Sequence, residues 1–205
     1  MKLKKYKLFL MSLVILMVLF LPIYTYANTT APLLNLGRKW YDTPKDIYFK
    51  CYFDTAERNA VLAAMNKWNS VKDPEGNSIV TMHLTTELTP NEVRYGYSFG
   101  EWVGKCQLNP ELGQEEIEAV TVYIEGDVNW STTGAADAYD VQTVVMHELG
   151  HALGIAHCHE KSEGPGPCWS ATCLKNVMNP LTDFGDVNHT FQEYDIASYM
   201  MIYYW

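Results

Sequence analysis

Apolar positions recur along this chain in two different periods, and the switches between them predict its elements. Ile47 to Phe53 alternates well enough for a strand, whereas Thr55 to Val71 sets Val61, Ala64, Met65 and Trp68 at helical spacing. Asp54 ahead of that helix, with Glu57 three positions on, predicts a capping box. Ile79 to Thr85 alternates again, Val93 to Phe99 is rich in aromatics, and Ala119 to Ile124 reads as a further strand. Trp130 to Ala138 is small and polar, a loop by composition. Asp140 then stands as the N-cap of a helix over Val141 to Leu153, which Gly154 stops. From His157 to Val177 the chain is rich in Gly, Pro and Cys without periodicity, so one long loop is expected, and loops of that length usually do a job. Phe191, Tyr194, Ile196, Ala197, Met200 and Met201 have the spacing of a half-buried closing helix.

The 205 residues suggest one domain with one core. The first seven residues carry Lys2, Lys4, Lys5 and Lys7, and Leu8 to Leu21 is apolar except for Ser12. That order reads as a secretory signal peptide over residues 1–27, cut after Ala27, with one catalytic domain over 28–205. The apolar run falls short of the roughly 20 residues that a spanning helix needs, so no stable membrane insertion is expected after cleavage. Cleavage moves the formal charge from -9 to -13, because four lysines leave. An acidic surface argues against nucleic acid or an anionic membrane as partner. The expected product is a secreted, extracellular, monomeric protein.

Cys51, Cys106, Cys158, Cys168 and Cys173 all follow the signal segment and would meet an oxidising exterior. Disulfides are expected: Cys51 and Cys106 could pair, while the other three cluster. One thiol is left over, and connectivity stays open.

The chemistry concentrates in His147-Glu148-Leu149-Gly150-His151-Ala152-Leu153-Gly154-Ile155-Ala156-His157. Two histidines four apart lie on one helix face, about 6 Å apart along the axis, so both imidazoles can reach one ion at about 2.1 Å. Glu148 is placed beside such an ion rather than on it. Gly154 permits the left-handed turn that returns His157 as a third ligand. Three neutral imidazoles leave zinc its full charge and leave the fourth position for water, from which Glu148 can take a proton as general base. An ordinary amphipathic helix could align two histidines, but five matched positions are far more demanding than a bare HExxH.

On these residues the chain resembles the metzincin zinc peptidases, and within them the matrixins most. Val120 to Cys158 is similar to the matrixin pattern almost continuously. Asn176-Val177-Met178-Asn179-Pro180 resembles the Met-turn, so the resemblance sets Met178 beneath the zinc as a packing base. It also implies that Asp195, in Tyr194-Asp195-Ile196-Ala197-Ser198-Tyr199, bonds the Met-turn backbone. Tyr194 departs from the aspartate that often pairs with the mature N-terminus in matrixins. The stretch Asn28 to Asp46 contains no Cys, so latency through a cysteine switch is not expected. The loop carrying Cys158, Cys168 and Cys173 falls where matrixins build the wall of a substrate pocket. The implied fold is α+β, a twisted mixed five-stranded sheet with two long helices plus a C-terminal helix. The implied activity is a zinc endopeptidase acting on peptide or protein substrates, with one catalytic zinc and calcium as a further candidate ligand. An extended substrate would pair with the sheet's lower edge strand.

Other residues have plainer readings. His159 would close the open metal position and is read as surface; His83 and His189 have no partner at ligand spacing. Asp127, Asp137 and Asp140 match no strict calcium-ligand spacing and read as loop carboxylates and a helix cap. Tyr95, Tyr97, Phe99 and Trp102 read as half-buried sheet aromatics rather than a binding face. Two rival functions remain: a silent zinc-binding module, which would have no need of Glu148, and a zinc hydrolase of a non-protein amide, which activity on cell-wall fragments without activity on peptides would reveal.

Overall fold

The computed structural model of the protein describes residues 36–97, 100, 102–109, 115–158, 175–180 and 182–204. Strand β1 (Lys45–Cys51) turns Ile47 and Phe49 into the core and Asp46 and Tyr48 to solvent, as its alternation predicts. Helix α1 (Thr55–Asn69) follows and buries Ala60, Val61, Ala64, Met65 and Trp68, one stripe at helical period. Its N-cap Asp54 accepts the N–H groups of Ala56 and Glu57 at 3.0 and 3.1 Å. The Glu57 carboxylate, expected to close a capping box, is instead the acceptor of the Tyr95 hydroxyl.

Strands β2 (Val80–Thr85), β3 (Asn91–Gly96), β4 (Gly104–Asn109) and β5 (Ala119–Glu125) complete a five-stranded sheet ordered β2-β1-β3-β5-β4. All pairings are parallel except β4 with β5. The mixed α+β sheet expected from the resemblance is therefore present. Two short strands pair here: β6 (Trp130–Ser131) opens the stretch expected to be loop, and β7 (Tyr139–Asp140) directly follows it. Helices α2 (Val141–Ala152) and α3 (Glu193–Tyr203) close the domain. Among the described residues no helix is long and apolar enough to cross a membrane.

Helix α2 runs through the core and buries residues on most of its circumference, including Val141, Val144, Val145, Met146 and Leu149. Trp68 of α1 donates its indole N–H to Met146 O at 2.9 Å, so the two long helices are tied as well as packed. At its C-terminus, where helix carbonyls lack intrahelical partners, Ala152 O accepts Trp40 Nε1 at 2.9 Å and Leu153 O accepts the Tyr203 hydroxyl at 3.0 Å. Gly154 then turns at φ +86°, and a Cβ there would overlap the Arg38 carbonyl oxygen. Only glycine satisfies both the backbone angle and the close approach.

The Cys51–Cys106 pairing that the sequence left open is not made: both are free thiols. Cys51 lies on β1 and Cys106 on β4, with β3 and β5 between them in the sheet. Strands spaced about 4.8 Å apart put them roughly 14 Å from each other, about twice the reach of a disulfide. Cys168 and Cys173 lie outside the described residues, as do His159, Phe99 and residues 1–27, where a signal segment is expected.

Candidate active site

Helix α2 presents His147 and His151 one turn apart, and the Gly154 turn brings His157 back to them. The Nε2 atom of His157 lies 3.1 Å from that of His147 and 3.0 Å from that of His151. His147 Nδ1 lies 2.8 Å from Val177 O, and His151 Nδ1 lies 2.7 Å from Ile155 O. A carbonyl can only accept, so both Nδ1 atoms carry the proton and both Nε2 atoms turn a bare lone pair inward. Such lone pairs 3.0 and 3.1 Å from His157 Nε2 are satisfied by a cation between the rings or by a proton on that atom. A tetrahedral zinc with Zn–N of 2.0–2.1 Å needs ligand nitrogens about 3.3 Å apart, so the donor set fits that ion in type and spacing. Among the described residues these three histidines form the group that could hold a metal.

Burial favours the uncharged form of His147 and His151. It pulls His147 down to about 4, with His157 as a second cause, and holds His151 well below the ordinary value. Both imidazoles are thus neutral near pH 7 and need no proton removed before binding a cation.

Glu148 is buried on the same helix, 6% exposed, and faces β4. A Cβ on Gly104 would stand 2.5 Å from Glu148 Oε1 and 2.7 Å from Val144 Cγ1, so glycine is what lets the edge strand close onto the carboxylate. Burial raises the Glu148 pKa to about 8, against a lowering contribution from the Cys106 backbone N–H. The same proximity acts on Cys106, whose thiol is pushed well up, mainly by burial and then by Glu148.

Met178 is fully buried beneath α2. Asp195 of α3 accepts the N–H groups of Val177 and Met178, each at 3.1 Å, as the Met-turn resemblance implies. It also accepts Gln192 N at 2.8 Å. His83 is an ordinary hydrogen-bonded histidine, 2.8 Å from Asp46 and stacked on Tyr48. Asp140 is the α2 cap, accepting Thr143 N at 2.7 Å, and His189 Nε2 lies 2.6 Å from it. The aromatics need one correction: Tyr95 is half-buried, but Tyr97 and Trp102 are 63% and 57% exposed, because β3 ends at Gly96 and both fall in the connection to β4. The sequence pattern also missed β4 and Asn188, which donates to the carbonyls of Lys175 and Asn176.

A mixed sheet whose antiparallel edge strand covers a helix bearing two histidines and a buried glutamate, with a third histidine after a glycine turn, defines a zinc-peptidase architecture. The matrixin family model matches residues 54–171, more than half of the chain, and the chain belongs to that family of zinc metalloendopeptidases. The chain is also similar to karilysin of Tannerella forsythia, 28% identical over 144 residues, 62% of this chain and 28% of karilysin. It thus spans under a third of that relative's length.

Proposed function

We propose that this protein is an exported endopeptidase that cuts internal bonds of extended polypeptides, with His147, His151 and His157 as zinc ligands and Glu148 as general base. The observation that carries the reading is the meeting of three Nε2 atoms, two of them with their Nδ1 protons committed to backbone carbonyls. Zinc held there supplies a Lewis acid for a water molecule and for the scissile carbonyl. Everything else is work for the chain itself. Strand β4, bonded to β5 along one side, offers its other side to a peptide as a further strand beside Glu148. Glu148 Oε takes a proton from the attacking water while the water oxygen bonds to the carbonyl carbon. It then gives that proton to the amide nitrogen as the C–N bond breaks. Burial raises the proton affinity of that carboxylate in the metal-free chain, and a cation beside it would favour the ionised form that a base requires.

Export rests on the lysine-led apolar segment ahead of Ala27, which leaves residues 28–205 as a single catalytic domain. The test is cleavage of an end-blocked peptide library by the purified protein. Internal cuts that fall by at least about 10²-fold in Glu148→Ala, with zinc still bound, are expected. Loss of the metal is expected in His151→Ala. Unchanged cleavage in Glu148→Ala would remove the mechanism.

A further inference from the structure

Almost every backbone group around Met178 is already engaged. Val177 O receives His147, the N–H groups of Val177 and Met178 go to Asp195, and Met178 O accepts Cys158 N at 3.1 Å. The two carbonyls just before them, of Lys175 and Asn176, both accept from the one side-chain amide of Asn188, each at 3.1 Å. The backbone N–H of Asn188 in turn donates to Thr143 Oγ1 at 2.9 Å, and the next residue, His189, contacts Asp140. Thr143 and Asp140 are the first turn and the N-cap of α2, the helix that carries His147 and His151. Residues 188 and 189 therefore join the start of that helix to the segment running into Val177.

We propose that Asn188 is a positioning residue of the metal centre, acting through Lys175 O and Asn176 O on the neighbouring Val177 carbonyl and so on the ring of His147. The inference rests on the reading of His147 as a zinc ligand. An amide has two N–H donors on one nitrogen and can serve two carbonyls side by side, whereas an aspartate has none and an alanine has nothing to offer. With that amide gone, the peptides before Val177 are free to rotate, and Val177 O turns with them. His147 then loses the acceptor that keeps its proton on Nδ1 and its lone pair toward the metal. Direct partners of ligating imidazoles tune metal affinity by about 10–100-fold. One step further out, Asn188 should be worth about tenfold, at the low end of that range.

A merely structural tie would lower the melting temperature and leave the zinc affinity of the folded protein alone, so the two roles separate. Zinc dissociation constants are measured at 25 °C by competition with a chromophoric chelator, beside thermal unfolding, for the unsubstituted protein, Asn188→Ala, Asn188→Asp and Asn188→Ser. About tenfold weaker zinc in the alanine variant is expected, at least as much in the aspartate variant, and an intermediate loss in the serine variant, which keeps one donor. Leu62→Ala, on the exposed side of α1, should change neither zinc affinity nor fold. Folded Asn188→Ala with unchanged zinc affinity overturns the proposal and leaves the zinc site standing. If the alanine variant does not fold, the serine variant decides by the same criterion. An unsubstituted protein that takes up no zinc refutes the reading of the site itself, a result distinct from the first.

Discussion

Gly150 lies against the thioether of Met178: a Cβ built on Gly150 would overlap Met178 Sδ and stand 3.0 Å from Cε and 3.1 Å from Trp68 Cζ2. The helix thus lacks a side chain where the segment of Met178 rises to meet it, between His147 and His151. Gly150→Ala sets two effects against each other. Alanine should gain about 0.5–1 kcal/mol of helix propensity, and overpacking against a buried sulfur should cost about 1–3 kcal/mol. Met178 and Trp68 are both fully buried, with little room to yield, so the loss should win by about 1–2 kcal/mol. Denaturant unfolding of the two proteins at saturating zinc measures it; equal or greater stability in the variant would refute the close packing.

Asp195 is fully buried and accepts three backbone N–H groups, two from the Met-turn and one from Gln192. Asp195→Ala strands all three donors, at about 1–3 kcal/mol for each buried unsatisfied group, so a loss of at least about 3 kcal/mol is expected. Asp195→Asn keeps an acceptor oxygen and should lose about half as much. Urea midpoints for the pair give the ordering, and an alanine variant as stable as the asparagine one would contradict it.

Both long helices were legible in the sequence because periodic apolar spacing and an N-cap agree: Asp54 caps α1 and Asp140 caps α2 as read. The meeting of the three histidines was legible for a similar local reason, since i, i+4 spacing and a glycine turn bring them together within eleven residues. Strand β4 was hidden because Gly104 is shaped by contact with Glu148 rather than by alternation, and Lys105 and Asn109 are exposed. Asn188 was hidden for a different reason. Its partners, Thr143 and Lys175 to Asn176, meet it only through the tertiary path, and nothing in its own stretch of polar residues marks it.

In chelator-stripped protein, Glu148 and the histidines should bend the pH–stability curve in opposite directions. Glu148 has a folded pKa of about 8 against 4.5, so between those values the folded chain holds a proton that the unfolded chain has released. Stability therefore falls as pH rises through that window, by up to about 1.4 kcal/mol per unit. His147 and His151 lie below 6.5, so the unfolded chain binds their protons first and stability falls as pH drops below 6.5. Two histidine slopes outweigh one glutamate slope below 6.5, and above it the histidine slopes fade over about a unit and leave the glutamate slope in control. The maximum should stand near pH 6.5, with a net loss of about 1 kcal/mol by pH 8 that Glu148→Gln abolishes. Guanidinium midpoints at pH 6.5 and 8 decide the matter; the same loss in both proteins would assign it to another group.

Zinc binding should resist acid for the reason that metal-free stability does not. Two imidazoles of ordinary pKa would each be only about one-tenth neutral at pH 5.5, weakening a metal by about 100-fold relative to full deprotonation. His147, with its pKa near 4, and His151, also held low, stay neutral there, so neither contributes that loss. The expected fall in zinc affinity from pH 7 to pH 5.5 is less than about tenfold. Because a ligand that binds only the folded state stabilises it by about 4 kcal/mol at a thousand times its Kd, the retained affinity should appear as a zinc-dependent rise in melting temperature at both pH values. His151→Ala should show no such rise at either. A fall approaching 100-fold in the unsubstituted protein would mean that these two rings titrate as exposed histidines do, and that burial does not prepare the site for a cation.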